Sequence, residues 1–169
     1  LGVQPPLADA VVTGTPGLSL LMTFADCQPL LAYDPVRHWL GVAHAGWRGT
    51  LAGMALNLVR ALEAEGSRAG DLRVALGPAI GPCCYEVGPD VEAQAESWPG
   101  GAQWFRRESG HLFFDLSAAN EAILRQAGVE HIERAELCTA CRTDLFFSYR
   151  AERPLTGRFA LIAALAQRH

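Results

Sequence analysis

Two side chains in the first third of the chain, Cys27 and His44, have the types and spacing for metal or thiol chemistry. Zinc and copper both accept thiolate and imidazole ligands, and the same pair can serve as nucleophile and base. Asp26, Trp47, Arg48 and Gly49 stand beside them. Either residue alone reads as a small buried cysteine or a hydrogen-bonded strand-end histidine. The case rests on their pairing.

That pairing depends on a β-hairpin. Leu30-Leu31-Ala32-Tyr33 runs into Asp34-Pro35-Val36-Arg37, and Trp39-Leu40-Gly41-Val42-Ala43 runs out. Aspartate opens turns and proline fixes φ at their second position. If Asp34 faces Arg37, or Tyr33 faces His38, the register sets Cys27 directly opposite His44. Their Cβ atoms would then lie about 5 Å apart on one face. A loop one residue longer or shorter would spoil this. His38 falls on the same face, but nothing marks it as a ligand.

The next segment supplies an anion site. Thr50 reads as an N-cap, and Leu51, Met54, Ala55, Leu58, Val59 and Leu62 recur at helical spacing up to Gly66. The helix would start a few residues after His44, with free N–H groups and its dipole turned to an anion. Arg48 adds a bidentate clamp, and Gly46 and Gly49 let a ligand approach the backbone.

Elsewhere the chain alternates strands and helices irregularly. Ala10-Val11-Val12-Thr13 and residues 72–76 read as strands. Residues 18–24 read as a strand buried on both faces, and residues 157–163 as a closing buried strand. Residues 89–98 read as a short helix, and Trp104-Phe105 and Leu112-Phe113-Phe114 as two strands about Glu108-Ser109-Gly110. Asp115 caps a further helix that carries Leu116, Asn120, Ile123 and Ala127 on one face, closed by Gly128. His131 starts or precedes a strand. The pattern predicts an α/β (α+β) sandwich with mixed sheets, and a single domain over residues 1–169.

The remaining cysteines read as structural. Cys138-Thr139-Ala140-Cys141 is a lone C-x-x-C, with no second pair at zinc-finger spacing. A redox motif would want a following helix, whereas residues 144–149 read as a strand. Cys83 and Cys84, in the glycine- and proline-rich loop 77–88, are expected to point different ways and not to share a metal.

The 169 residues suit one sizeable core. Every basic residue is arginine, so lysine-based Schiff-base and phosphate-loop chemistry is excluded. A net charge of −4 with scattered arginines argues against a nucleic-acid groove. No window reads as a membrane span. Five cysteines do not make a disulfide framework, and a cytoplasmic protein, monomer or homodimer, is expected. Residues 1–6 resemble neither a signal nor a transit peptide, and the first residue is not methionine. The chain is expected to start partway into a longer protein.

Several segments together resemble the YfiH/YlmD family, also called the laccase-domain or peptidoglycan editing factor family. They are Ala25-Asp26-Cys27-Gln28-Pro29, His44-Ala45-Gly46-Trp47-Arg48-Gly49, Gly77-Pro78-Ala79-Ile80, Cys84-Tyr85-Glu86-Val87-Gly88, Cys138-Thr139, Ser148-Tyr149-Arg150 and Gly157-Arg158. The resemblance implies a metal held by two histidines and a cysteine. Cys27 and His44 match two of these; the other histidine would lie upstream of Cys27, where this sequence has none. It also implies phosphorolysis of adenosine, inosine and methylthioadenosine, deamination of adenosine, phenol oxidation with copper, or removal of misplaced serine from a cell-wall precursor. The leading expectation is a zinc-dependent purine nucleoside enzyme using phosphate. Arg48 and Gly49 would hold phosphate, Trp47 and Tyr85 would stack on the base, and Asp26 would act as general acid or base. The alternatives are an amidase built on Cys27 and His44, with or without a metal, a copper oxidase, and a non-catalytic interaction domain. Multicopper chemistry wants more than the five histidines present.

Overall fold

Side chains alternate across a β-strand, and in the central hairpin both faces are covered. The computed structural model describes residues 8–167, so the opening stretch 1–6 lies outside the described residues. The hairpin joins Gln28–Asp34 (β3) to Trp39–Ala45 (β4). Leu30, Ala32, Ala43 and Ala45 enter the main core with Leu58, Leu62, Ile123 and Leu124 from two helices, Met54–Ala64 (α2) and Leu116–Gln126 (α4). Leu31, Tyr33, Leu40 and Val42 join a second cluster with Leu20 and Leu165. That cluster lies under a ribbon of Ser19–Phe24 (β2) and Phe159–Ala164 (β9). The layers are therefore helices, sheet and ribbon.

The sheet has five strands. Ala10–Thr13 (β1) pairs with β4, β4 with β3, β3 with Arg73–Leu76 (β5), and β5 with His131–Arg134 (β8). Only the last pairing is parallel. Phe105–Glu108 (β6) and His111–Phe114 (β7) form a second ribbon. This is the mixed-sheet α/β sandwich expected, in one domain. Helix α2 crosses the sheet at Gly41, where a Cβ would fall 2.8 Å from the Leu58 side chain. No helix among the described residues is long and apolar enough to cross a membrane.

Four local expectations are corrected. The hairpin register differs by two residues: Asp34 faces Trp39, and His44 faces Pro29 rather than Cys27. The Asp34 carboxylate accepts the Val36 and Arg37 N–H groups, its carbonyl accepts the His38 N–H, and His38 closes the loop at φ +62°. These bonds make a four-residue loop of residues 35–38, and a shift of two keeps the facing side the same.

The helix expected from Thr50 starts earlier and breaks. Trp47–Leu51 (α1) is capped by Gly46, and Gly53, at φ +83°, separates it from α2. Thr50 is buried inside α1 and shares hydrogen bonds with Asn120 of α4. The long helix thus opens at Gly53, and only the five-residue α1 opens near His44. The anion site cannot draw on a long helix dipole there.

Strands β2 and β9 are covered on one face only. As the outer layer they leave Leu21 and Ile162, directly paired, 60% and 66% exposed. Finally, residues 144–147 form no strand, and Tyr149–Glu152 (α5) is a helical turn capped by Ser148. The remaining signals correspond: Pro89 opens Pro89–Ala95 (α3), and the Asp115 carboxylate accepts the Ala118 N–H at the head of α4.

Candidate functional site

The site is built on the corner between ribbon and sheet. Strand β2 ends at Phe24 and β3 starts at Gln28, so three residues turn the chain from one layer to the next. Asp26 makes the turn at φ +80°, a left-handed conformation that aspartate tolerates better than most residues. It is held on every side. One carboxylate oxygen accepts the Thr139 hydroxyl at 2.7 Å, the other accepts the Arg150 N–H at 2.7 Å, and its carbonyl accepts the Ile80 N–H at 2.9 Å. Gln28, fully buried, ties the start of β3 to the Gly77 carbonyl and the Ser117 hydroxyl. Cys27 sits between these two anchors.

His44 comes from the last turn of pleat in β4, on the ribbon side of the sheet. Its ring lies 5.4 Å from that of Phe24, which stacks on Phe159. Asp9, just before β1, takes the His44 N–H on its carbonyl at 2.7 Å, and its carboxylate approaches Nδ1 at 3.6 Å. A carboxylate beside one ring nitrogen favours the tautomer that leaves the other free for a ligand. Nothing in the sequence marked Asp9 for this role.

Although not opposed across the strands, Cys27 and His44 line one cavity of about 260 Å³ with Asp9, Gly46, Trp47, Arg48 and Gly49. A Cβ on Gly46 would fall 2.8 Å from the Cys27 sulfur, so only glycine leaves the thiol room there. A sulfur and an imidazole on one cavity fit two positions of a tetrahedral zinc or copper site. Burial, then the neighbouring Asp26 charge, push the Cys27 thiol above its ordinary pKa, with Arg158 acting the other way. A raised pKa means less thiolate at neutral pH. Iodoacetamide labelling of Cys27 in metal-free protein is expected to be slower than that of a free thiol at pH 7. Its rate should still be rising at pH 9, as followed by peptide mass mapping. Labelling that levels off below pH 8 would show an activated thiolate instead.

A larger cavity of about 570 Å³ adjoins the first and shares Cys27, Trp47 and Arg48 with it. Asp26 and Tyr85 open on this one. All the residues singled out in the sequence thus meet along one cleft, Gly49 at one end and Tyr85 at the other. Its surface is rich in guanidinium groups. Arg48 lies over the Trp47 ring at 4.3 Å and Arg153 over Tyr149 at 4.9 Å. Arg150 lies over Tyr85 at 5.3 Å and donates to the Cys84 and Glu86 carbonyls. Arg158 completes the set, and Glu86 and Asp90 line the same cavity. Burial and the nearby Cys27 push the Tyr85 hydroxyl up to about 12. The three later arginines received no role from spacing, because more than a hundred residues separate them from Asp26. For Arg150 and Arg158 the motifs Ser148-Tyr149-Arg150 and Gly157-Arg158 were the available signal; Arg153 had none.

Behind the cleft stands a group the sequence reading divided. The sulfurs of Cys83, Cys84, Cys138 and Cys141 all lie within 4.8 Å of one another and could hold a metal ion. Cys83 and Cys84 do not diverge as expected. The Cys84 and Tyr85 N–H groups both bond the Gly81 carbonyl, so the backbone turns as in a helix and consecutive side chains stand about 100° apart, not 180°. Cys83 and Cys84 thereby supply the second pair that the C-x-x-C lacked. Burial and the neighbouring sulfurs raise the Cys83 thiol to about 11 and that of Cys84 as well. Burial acts the same way on Cys138, but N–H groups of Gly81 and Cys141 bring its thiol below the ordinary value.

The described histidines do not gather. His38 bonds the Tyr33 hydroxyl and the Ala166 carbonyl at the hairpin turn, and His111 pairs with Glu86. His131 lines a separate cavity beside β8. Only His44 among them lines the cleft, which does not fit a multicopper cluster.

Comparison with known proteins agrees with this fold. The chain is 40% identical over 159 residues to purine nucleoside phosphorylase YlmD of Geobacillus stearothermophilus, covering 90% of this chain and 58% of that protein. It is 39% identical over 160 residues to a purine nucleoside phosphorylase of Deinococcus radiodurans, covering 95% and 62%. The chain therefore spans about three fifths of these relatives. The crystal structure of YlmD from Geobacillus stearothermophilus superposes with a TM-score of 0.91 at 38% identity, over 96% of this chain and 62% of that one. The family model described as multi-copper polyphenol oxidoreductase laccase matches residues 3–166. By these measures the chain belongs to that laccase-like family, the family of YfiH and YlmD.

Proposed function

We propose that the cleft is the active site of a zinc-dependent purine nucleoside phosphorylase. One observation carries the reading: a thiol–imidazole pair and a row of arginines share a continuous wall through Cys27, Trp47 and Arg48. The names of the relatives support it. Cys27 and His44 would hold the zinc, which supplies a Lewis acid to offset developing negative charge. Asp9 orients the imidazole. Arg48, with Arg150, Arg153 and Arg158 around it, binds phosphate and sets one oxygen toward the ribose C1′ carbon. Its attack forms the C–O bond as the bond from C1′ to the purine nitrogen breaks, and the electron pair leaves with the base. Tyr85 and Trp47 flank the base; one face of each already carries a guanidinium, so stacking uses the other. Asp26 has both carboxylate oxygens engaged, and we assign it to positioning Cys27 rather than to proton transfer.

The test is release of free base from inosine or adenosine by zinc-loaded protein. Free base and ribose 1-phosphate should appear together, in equal amounts, only when phosphate is present. Base released equally well without phosphate would make the enzyme a hydrolase, and no release at all would remove the reading.

A further inference from the structure

We propose that Cys83, Cys84, Cys138 and Cys141 form a second metal centre, a structural tetrathiolate zinc site that staples the wall of the cleft. It is separate from the Cys27–His44 pair and stands whatever reaction the cleft performs.

The geometry is that of a closed site. Four Zn–S bonds of about 2.3 Å in a tetrahedron put sulfurs about 3.8 Å apart. Cys84 and Cys141 are 3.4 Å apart, Cys83 and Cys141 3.6 Å, and all four sulfurs lie within 4.8 Å. These are non-bonded distances, well beyond a disulfide of about 2.05 Å. The ligands arrive from two segments that are already paired. Ala79 bridges Cys138 in parallel, and the Thr139 N–H bonds the Ala79 carbonyl at 3.0 Å. The Gly81 N–H donates to the Cys138 sulfur at 3.2 Å, the kind of outer bond that steadies a metal thiolate. Gly81 must be small: a Cβ there would sit 3.3 Å from Cys138 Cβ and 3.4 Å from the Cys83 sulfur.

The surroundings suit a dianionic centre. Arg106 and Arg150 donate to the Pro82 and Cys84 carbonyls on either side of the ligand pair. Packing alone does not explain the group, because Cys83 and Cys141 are exposed. Four sulfurs with no oxygen or imidazole ligand select a soft or borderline cation, and zinc is the common one without redox activity.

The position gives the site its purpose. Thr139, between two of the ligands, bonds the Asp26 carboxylate. Tyr85, directly after Cys84, lines the cleft, and the Cys84 carbonyl holds Arg150. A metal here fixes the loop 77–88 and the corner that carries Cys27 as one unit.

The experiment loads thiol-reduced, metal-stripped protein with zinc alone, and separately with cobalt(II) alone. Zinc absorption spectroscopy of Cys27→Ser, His44→Ala protein isolates this centre and should show four sulfur neighbours at about 2.3 Å. Cobalt should give the intense red-region absorption of a tetrahedral thiolate site. Cys83→Ser, Cys141→Ser protein should lose one zinc equivalent, whereas the Cys27→Ser, His44→Ala protein keeps it. The proposal is overturned if wild-type protein, stripped and reduced, takes up no zinc that these two cysteines control. It is equally overturned if freshly purified protein carries Cys84–Cys141 as a disulfide with no zinc.

Discussion

Asp26→Ala is expected to lower the stability of the protein by about 3 kcal/mol, the largest single-residue effect near the cleft. The alanine methyl would leave the Thr139 hydroxyl and the Arg150 N–H without the acceptors they have at 2.7 Å. Both lie in or beside buried surface, so water cannot replace the carboxylate cheaply. Alanine also tolerates φ +80° poorly, which adds to the loss. Urea unfolding should show a lower midpoint at unchanged slope. Asp26→Asn separates the two parts: it keeps a residue suited to the left-handed turn and one acceptor, and is expected to lose about half as much. A midpoint for Asp26→Ala within about 0.5 kcal/mol of wild type would show that the corner is held by other means.

Arg48→Ala is expected to cut kcat/KM for phosphate by about 10²- to 10³-fold, with little change in stability. Arg48 reaches both cavities and makes no ion pair among the described residues, so its charge is available to a ligand. Its contact with Trp47 at 4.3 Å holds the guanidinium in place without neutralising it. Arg48→Lys keeps the charge but loses the fork, and should recover only part of the loss. The check is a phosphate saturation curve at fixed inosine. An unchanged curve would move the phosphate site to Arg150, Arg153 and Arg158.

The sequence went furthest where local chemistry decides structure. The Asp115 cap, the proline opening α3 and the alternating hairpin strands follow from short-range rules, and with them the mixed-sheet fold. It failed where one turn sets a register. Asp34 bonds two N–H groups beyond the simple turn, which lengthens the loop and moves His44 opposite Pro29. Cys27 and His44 still share a cavity because a two-residue shift preserves the face. An apolar run does not reveal that its sheet is the outermost layer, so β2 and β9 carry an exposed face that their composition hides. The cysteine cluster stayed hidden for a related reason: Cys83 and Cys84 diverge in an extended chain but not in the turn after Gly81. Asp9 and the three later arginines, Arg150, Arg153 and Arg158, reach the site only through tertiary contacts, which spacing does not encode.

On the proposed function, Cys27 and His44 serve one ion in a phosphate-using cleft. Zinc content and phosphate-dependent base release, measured on the same preparations of wild type, Cys27→Ser and His44→Ala, test it most directly. Both variants should lose the turnover and the same single zinc equivalent, while the equivalent assigned to the four-cysteine centre stays. Full turnover in either variant, or lost turnover with every zinc retained, would contradict it.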